Sequence, residues 1–338
     1  MRISSGSYIG NGIDNHAIAG VGFLPDLVLI KGDFDGGQAM FKITQHGINE
    51  SIQMRGDTSV QTDGIKTLNS DGFTLGTLSH VNQNAATFHF LAVKDDGNGD
   101  FKTGVFTGDG NDGHAITGLG FHPAFIHIKG NHNLTGAMKF AGQTDTSQIW
   151  PGDDRTDLIV SLDADGFTLN NGSDNGANEV NANGVTHYYF AFKAVSGAIS
   201  AFQYIGNDTD NRNIITPGFQ PEFVLVASIN GGRKRILRFA SNSVDYSQGI
   251  EDASDVNGIQ SFISTGFQIG ASNFVNASGV TFNALAIKNN QVMSVAPNED
   301  SGNKNVTLKL GIDSLSIITK PRTKKIKTHN RAIILTHK

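Results

Sequence analysis

The sequence predicts an all-β protein built from three tandem antiparallel β-sandwich repeats, and three observations lead there. One stretch is used three times. Gly20-Val-Gly-Phe23-Leu-Pro25-Asp-Leu-Val-Leu-Ile30-Lys31 returns as Gly118-Leu-Gly-Phe121-His-Pro123-Ala-Phe-Ile-His-Ile128-Lys129 and as Thr216-Pro-Gly-Phe219-Gln-Pro221-Glu-Phe-Val-Leu-Val226, so that Phe23, Phe121 and Phe219 stand 98 residues apart. A fixed period of this kind sets the architecture before any local element is assigned. The chain also holds 41 glycines, abundant Asn and Asp, and only 17% charged residues, the composition of a turn-rich β protein. Finally, nothing in the repeats sustains an apolar helical period over a helix-length window.

Each repeat opens on a short aromatic strand, then a polar glycine loop and an Ile. The copies run Tyr8 to Ile18, Phe106 to Ile116 and Tyr204 to Ile214. The proline-led stretch follows. Pro25 sets φ at a strand entrance, where its missing N–H costs least, and the β-branched and aromatic run behind it reads as a buried strand. A hairpin-like element comes next, at Asp35-Gly-Gly, Thr135-Gly-Ala and Asn230-Gly-Gly. There Asn-Gly and Asp-Gly supply the positive φ that tight hairpin turns need. A variable polar stretch leads to Asp71-Gly-Phe73, Asp165-Gly-Phe167 and Thr265-Gly-Phe267. A closing strand then spans Thr87 to Lys94, Thr186 to Lys193 and Thr281 to Lys288. Five to seven short strands are expected per repeat, with jelly-roll and Ig-like connectivity both open.

These markers divide the chain into repeats at 1–97, 98–196 and 197–297, joined by links short enough to keep them abutted as a rod or a compact triangle. Residues 298–338 form a fourth part. From Glu299 to Lys338 the local charge is +6, against −11 for the preceding residues. This part reads as a short basic β segment, with Lys320, Arg322, Lys324, Lys325, Lys327 and Arg331 forming an attachment surface.

The absence of cysteine excludes disulfides and thiolate chemistry. A net charge of −5 gives no general nucleic-acid signal. No apolar run reaches the roughly 18 residues of a membrane span, and the start of the chain is expected to carry no signal peptide.

At this point the residues resemble a module of bacteriophage virion proteins: tail fibres, spikes and head-decorating proteins. The resemblance covers about residues 6–290. It is carried best by the second copy, through Gly108, Gly110, Gly120, Phe121, Pro123, Lys129, Asp165, Gly166, Phe167, Ala191 and Lys193. The third copy departs from it, with Ala227 in place of Lys31 and Lys129 and with Arg212 in place of His16 and His114. The resemblance implies a non-enzymatic virion component. It would attach to other virion proteins through the basic segment, form a homo-oligomer such as a trimer, and be made in the host cytoplasm.

Candidate sites are few. Asn11, Asp14 and His16, matched by Asp109, Asp112 and His114, form oxygen-rich loops that suit Ca²⁺, but Asn and Asp turns bonding their own backbone explain them better. No cofactor is therefore expected. Arg55-Gly-Asp57 is in register with Gly152-Asp153 and reads as the repeat's own turn. His122 and His127 should face opposite ways on one strand, against a shared three-histidine site. Trp150, the single tryptophan, suits stacking on a sugar ring, and Arg233, Lys234 and Arg235 crown a hairpin suited to an anionic glycan. The variable loops at about 44–70, 141–162 and 238–260 are expected to meet a host surface glycan or neighbouring subunits. A carbohydrate-binding adhesin is the alternative reading, and a polysaccharide depolymerase a third. No nucleophile, zinc or phosphate-loop motif is present, and no catalytic residue is assigned.

Overall fold

The computed structural model describes residues 1–289, apart from 57, 144–145, 150–153, 173–178, 230–232 and 251–253. The first repeat comprises nine strands: β1 (Arg2–Ile9), β2 (His16–Ala19), β3 (Leu27–Gly32), β4 (Met40–Ile43), β5 (Glu50–Gln53), β6 (Gln61–Thr62), β7 (Ile65–Asn69), β8 (Gly72–Leu75) and β9 (Thr87–Lys94). A single helical turn, α1 (Ser79–Asn82), precedes the last strand. Six strands form one sheet in the order β1-β9-β3-β4-β5-β6, and three form a second in the order β2-β8-β7. Every pairing in both sheets is antiparallel. The closing strand β9 is thus inserted between the first strand and the proline-led one.

The second repeat runs from β10 (Phe101–Thr107) to β18 (Thr186–Lys193), and the third from β19 (Ile199–Ile205) to β27 (Thr281–Ile287), with the same two sheet orders. Nine strands per repeat among the described residues exceed the expected five to seven. The extra ones are short and polar, such as Gln61–Thr62 and Asp154–Arg155. They carry no apolar alternation. The turn after β3 is also longer than a tight hairpin. It covers residues 33–39, with Gly36 at φ +76°.

The glycine of each Asp-Gly-Phe motif is set by close approach. A Cβ on Gly72, Gly166 or Gly266 would collide with the carbonyl oxygen of Ile18, Ile116 or Ile214 on the paired strand. No larger residue fits there without moving backbone.

Burial explains why the proline-led strands show no alternation. In β3, Val28 and Ile30 face the three-stranded sheet and join Ile65, Phe73, Leu75 and Phe88 in the sandwich's own core. Leu27 and Leu29 point the other way, into a second core. That second core is common to all three repeats: Leu29, Phe41 and Leu91 from the first meet Phe125, Phe190 and Phe192 from the second and Phe223, Leu225 and Leu285 from the third. The centre of this shared core is a small hollow lined wholly by such side chains. Each six-stranded sheet is therefore covered on both faces.

The seams close the set into a ring. Between the first and second repeats, Lys129 Nζ donates to Thr58 O at 3.0 Å and Val60 N to Asn131 Oδ1 at 2.9 Å. Between the second and third, Arg235 Nη2 donates to Ile149 O at 2.9 Å and Gln148 Nε2 to Ser228 O. Between the third and first, Ala39 N donates to Ile250 O at 2.9 Å. Met1–Asn290 accordingly form one compact unit.

A shared core should couple the repeats. Phe190 is 3% exposed, edge-on to Phe41 of the first repeat at 5.4 Å. Phe190→Ala is expected to cost about 3–5 kcal/mol. Denaturant unfolding of the full chain, followed by circular dichroism and tyrosine fluorescence, should show one transition for wild type and variant. Separate transitions would mean that the sandwiches fold independently.

Candidate functional site

The polar opening loops are organised from beneath by a buried asparagine that the sequence reading passed over. Asn82, Asn181 and Asn276 are fully buried. Asn82 Oδ1 accepts from Asn11 N at 2.9 Å, while its Nδ2 donates to Ile13 O at 2.9 Å and Gly76 O at 2.7 Å. Asn181 bonds Asp109 N, Asp109 Oδ1 and Asn111 O, and Asn276 bonds Asn207 N, Thr209 O and Gly270 O. A primary amide suits this place because it offers both donors and acceptors to a turn that has orphans of each kind. The signal was present in the sequence: Val-Asn recurs five residues before the Thr of each closing strand, at Asn82, Asn181 and Asn276.

This geometry accounts for the recurring histidine. His16 Nδ1 lies 3.1 Å and His114 Nδ1 2.7 Å from that amide's Oδ1, and in the third repeat Arg212 Nη1 lies 3.2 Å from it. With the amide nitrogen committed to oxygen acceptors, Oδ1 is the acceptor and the histidine donates. An Arg does the same job. Other loop oxygens are likewise engaged. Asn11, Asp109 and Asn207 accept from the backbone N–H two residues on, and Asp14 pairs with Lys66 at 2.7 Å, which holds its carboxyl below the ordinary range. Among the described residues no group of three or more acidic or histidine side chains is placed to hold a metal.

The aspartates of the Asp-Gly-Phe motif serve the proline-led stretch. Asp71 accepts from Gly20 N and Gly22 N at 3.1 and 2.6 Å, and Asp165 repeats this with Gly118 N and Gly120 N. All four glycines sit at φ between +83° and +89°, where a side chain is strained. In the third repeat, where Thr265 replaces the aspartate, its carbonyl takes the bond from Gly218 N.

The three basic residues of the third repeat do not share one face. Arg235 is 1% exposed and turned into the seam, bonding Arg233 O and Ile149 O. Its charge is spent on holding the second repeat. Arg233 and Lys234 remain outside, over the helical turn α2 (Asn273–Asn276). Arg233 Nη1 donates to Asn273 O at 3.2 Å, and Lys234 Nζ lies 5.1 Å from the Phe274 ring centroid. Trp150, Asp57 and the basic residues Lys320 to Arg331 lie outside the described residues. His122 and His127 face opposite ways as expected, the first exposed and the second wholly buried.

One constellation was not legible at all, because its members lie up to 208 positions apart in the chain (Asp33 and Ser241). At the seam of the third and first repeats, His89 Nε2 lies 3.0 Å from Asp33 Oδ2, and His89 Nδ1 lies 2.7 Å from Ser241 Oγ. The composition is that of a hydrolase triad, but the arrangement serves another end. Ser241 Oγ donates to Gly6 O at 2.9 Å, so its proton is directed at the first repeat's backbone. His89 is 4% exposed, stacked on Phe239, and its Asp33 also accepts from Gln248 of the third repeat. The group fastens two repeats together.

A family model described as a domain of unknown function (DUF7483) matches residues 96–203, which cover the second repeat and the opening of the third. Comparison with curated proteins and with solved structures yields no match.

Removal of the central amide should release the loop above it. Asn181→Ala leaves Asp109 N, Asn111 O and His114 Nδ1 without their partner, at about 1–3 kcal/mol for each group that water does not reach. Urea denaturation should register the loss. Hydrogen exchange should quicken at the Asp109 and Asn111 amides while the second repeat's β12 (Pro123–Gly130) stays protected. Unchanged loop exchange would show that the amide does not hold the loop.

Proposed function

We propose that this protein is a non-enzymatic structural component of a bacteriophage virion: a tail-fibre, spike or capsid-decorating element. The observation that carries the reading is the closed ring of three sandwiches on one core. One chain here makes the three-sided body that appendages otherwise assemble from several subunits. Internal bonds consume the polar groups of its opening loops, which suits a rigid presenting body. The resemblance of the repeat motif to virion modules supports the same reading. The outward turns, among them 44–49 with Ile48 at 85% exposure and 240–245 with Val244 at 73%, are the surfaces for contact with host glycan or neighbouring subunits. The inward sheet faces are used up, so any homo-oligomer must form through outer surfaces. Residues 298–338 supply attachment to other virion proteins.

Pull-down with purified virions, comparing the full chain with a truncation ending at Pro297, tests this. Only the full chain is expected to bind. Equal binding by both would move attachment into the sandwiches. Binding by neither, together with retention on a glycan array, would favour the carbohydrate-binding adhesin. Release of oligosaccharide from capsule would establish a depolymerase instead.

A further inference from the structure

The three seams occupy equivalent positions in the repeats but differ in chemistry, and the difference is concentrated in histidine. His46, in the turn after β4, accepts a bond from Ile43 N through Nδ1 at 3.1 Å and stacks on Tyr188 of the second repeat at 3.9 Å. In the other two repeats Gln143 and Asn242 close the same turn, accepting from Phe140 N and Phe239 N through amide oxygens that do not titrate. His127 points into the shared core, wholly buried, with neither ring nitrogen hydrogen-bonded. Its ring meets Phe41 of the first repeat edge-on at 5.4 Å and Phe190 at 5.2 Å. Strand register puts Leu29 and Leu225 at the same place in the other repeats.

We propose that the seam between the first and second repeats is an acid-released latch, which opens as pH falls while the seam between the third and first repeats stays shut. Protonation of His46 would put an N–H where Ile43 N already donates, and protonation of His127 would place a cation among aromatic rings. The charged neighbours aggravate this. Lys42, on β4, acts on His46, with Glu50 of β5 and Tyr188 of β18 beside them. Lys129, on the strand that carries His127, acts on His127, while β4 and β18 face that ring with Phe41 and Phe190. At the opposite seam, His89 has an acceptor at each nitrogen, the Asp33 carboxylate and the Ser241 hydroxyl, where His46 meets a donor and His127 only apolar rings.

Burial lowers both His46 and His127 from 6.5 to about 3. The unfolded or opened chain therefore takes up a proton first as pH falls through 6.5. The closed state is favoured fully above that value, and closure weakens by up to about tenfold per pH unit for each histidine until about pH 3. His187, inside the second repeat, is lowered in the same direction, so the test must be read locally.

Hydrogen exchange of the full chain at about pH 7.5 and about pH 4.5, corrected for intrinsic rates, provides that reading. Peptides covering 40–46, which lie outside the strand that carries His187, are expected to lose protection at the lower pH, and peptides covering 236–242 to keep it. His46→Gln with His127→Leu, the residues the other repeats use, should abolish the difference. Where that double variant does not fold, His46→Gln alone should cut the dependence from about a hundredfold to about tenfold per pH unit. Equal protection at both pH values in wild type, or an acid response unchanged in the variants, would overturn the proposal.

Discussion

Everything in this molecule depends on the burial of its six-stranded sheets on both faces. A sheet covered once by its small partner would leave Leu27, Leu29, Phe125, Phe190, Phe223 and Leu225 facing water, an apolar patch that a solitary sandwich could not keep in solution. Packing the three faces together removes that surface and makes each repeat necessary to the others. It also dictates what a polar group on those faces must do. Lys31 and Lys129 lie at the ends of the proline-led strands on the inward side, with no exposed surface. Lys31 Nζ donates to Gly32 O at 2.7 Å, and Lys129 Nζ gathers Thr58 O, Gly130 O and His132 O within 3.0 Å. The third repeat places Ala227 at that position and has no charge there to satisfy.

A second set of buried cations follows the same logic. Lys42, Lys139 and Arg238 occupy one position in the fourth strand of each repeat, and each donates to carbonyl oxygens of the following turn or the start of the next strand: Lys42 to Gly47 O and Glu50 O, Lys139 to Thr146 O, Arg238 to Tyr246 O. Burial brings Lys42 down to about 8 and Arg238 to about 10. Lys and Arg are poor substitutes where a planar fork must grip a carboxylate. Here the acceptors are separate carbonyls, and either cation can collect them. That is why the position tolerates the exchange while keeping its charge.

How much of this could be read in advance depends on how far apart the interacting residues lie. The repeat, the Pro25, Pro123 and Pro221 strand entrances and the close of each unit were legible because each is a local pattern repeated. The uninterrupted apolar run of Leu27 to Ile30 was legible as buried, but burial on two faces by two different cores is a statement about partners as distant in the chain as Ile65 on one face and Leu285 on the other. Gln61–Thr62 carries no pattern, since ladder bonds make it a strand. The central amides Asn82, Asn181 and Asn276 sat at a constant spacing and were missed because Asn in a glycine-rich chain looks like one more turn residue. Arg235 looked like a solvated crown beside Arg233 and Lys234. Only the seam with Ile149 distinguishes it.

The seams show what a single chain gains by carrying its own three repeats. Three identical subunits around an axis must share one interface, so a histidine placed at one seam appears at all three. Tandem repeats escape that constraint. The position of His46 is filled by Gln143 and Asn242 elsewhere, that of His127 by Leu29 and Leu225, and His89 stands where the other repeats have Tyr188 and Asn283. The shared core needs only that each inward side chain fill its space, so these positions are free to diverge in polarity as long as volume and hydrogen bonding are met. The result is a body whose architecture is threefold and whose chemistry is not: one seam has a serine on an imidazole and a glutamine on a carboxylate, one an arginine on a carbonyl, and one an imidazole stacked on a phenol ring. Divergence of this kind lets one interface respond to conditions while the seam at His89 stays shut.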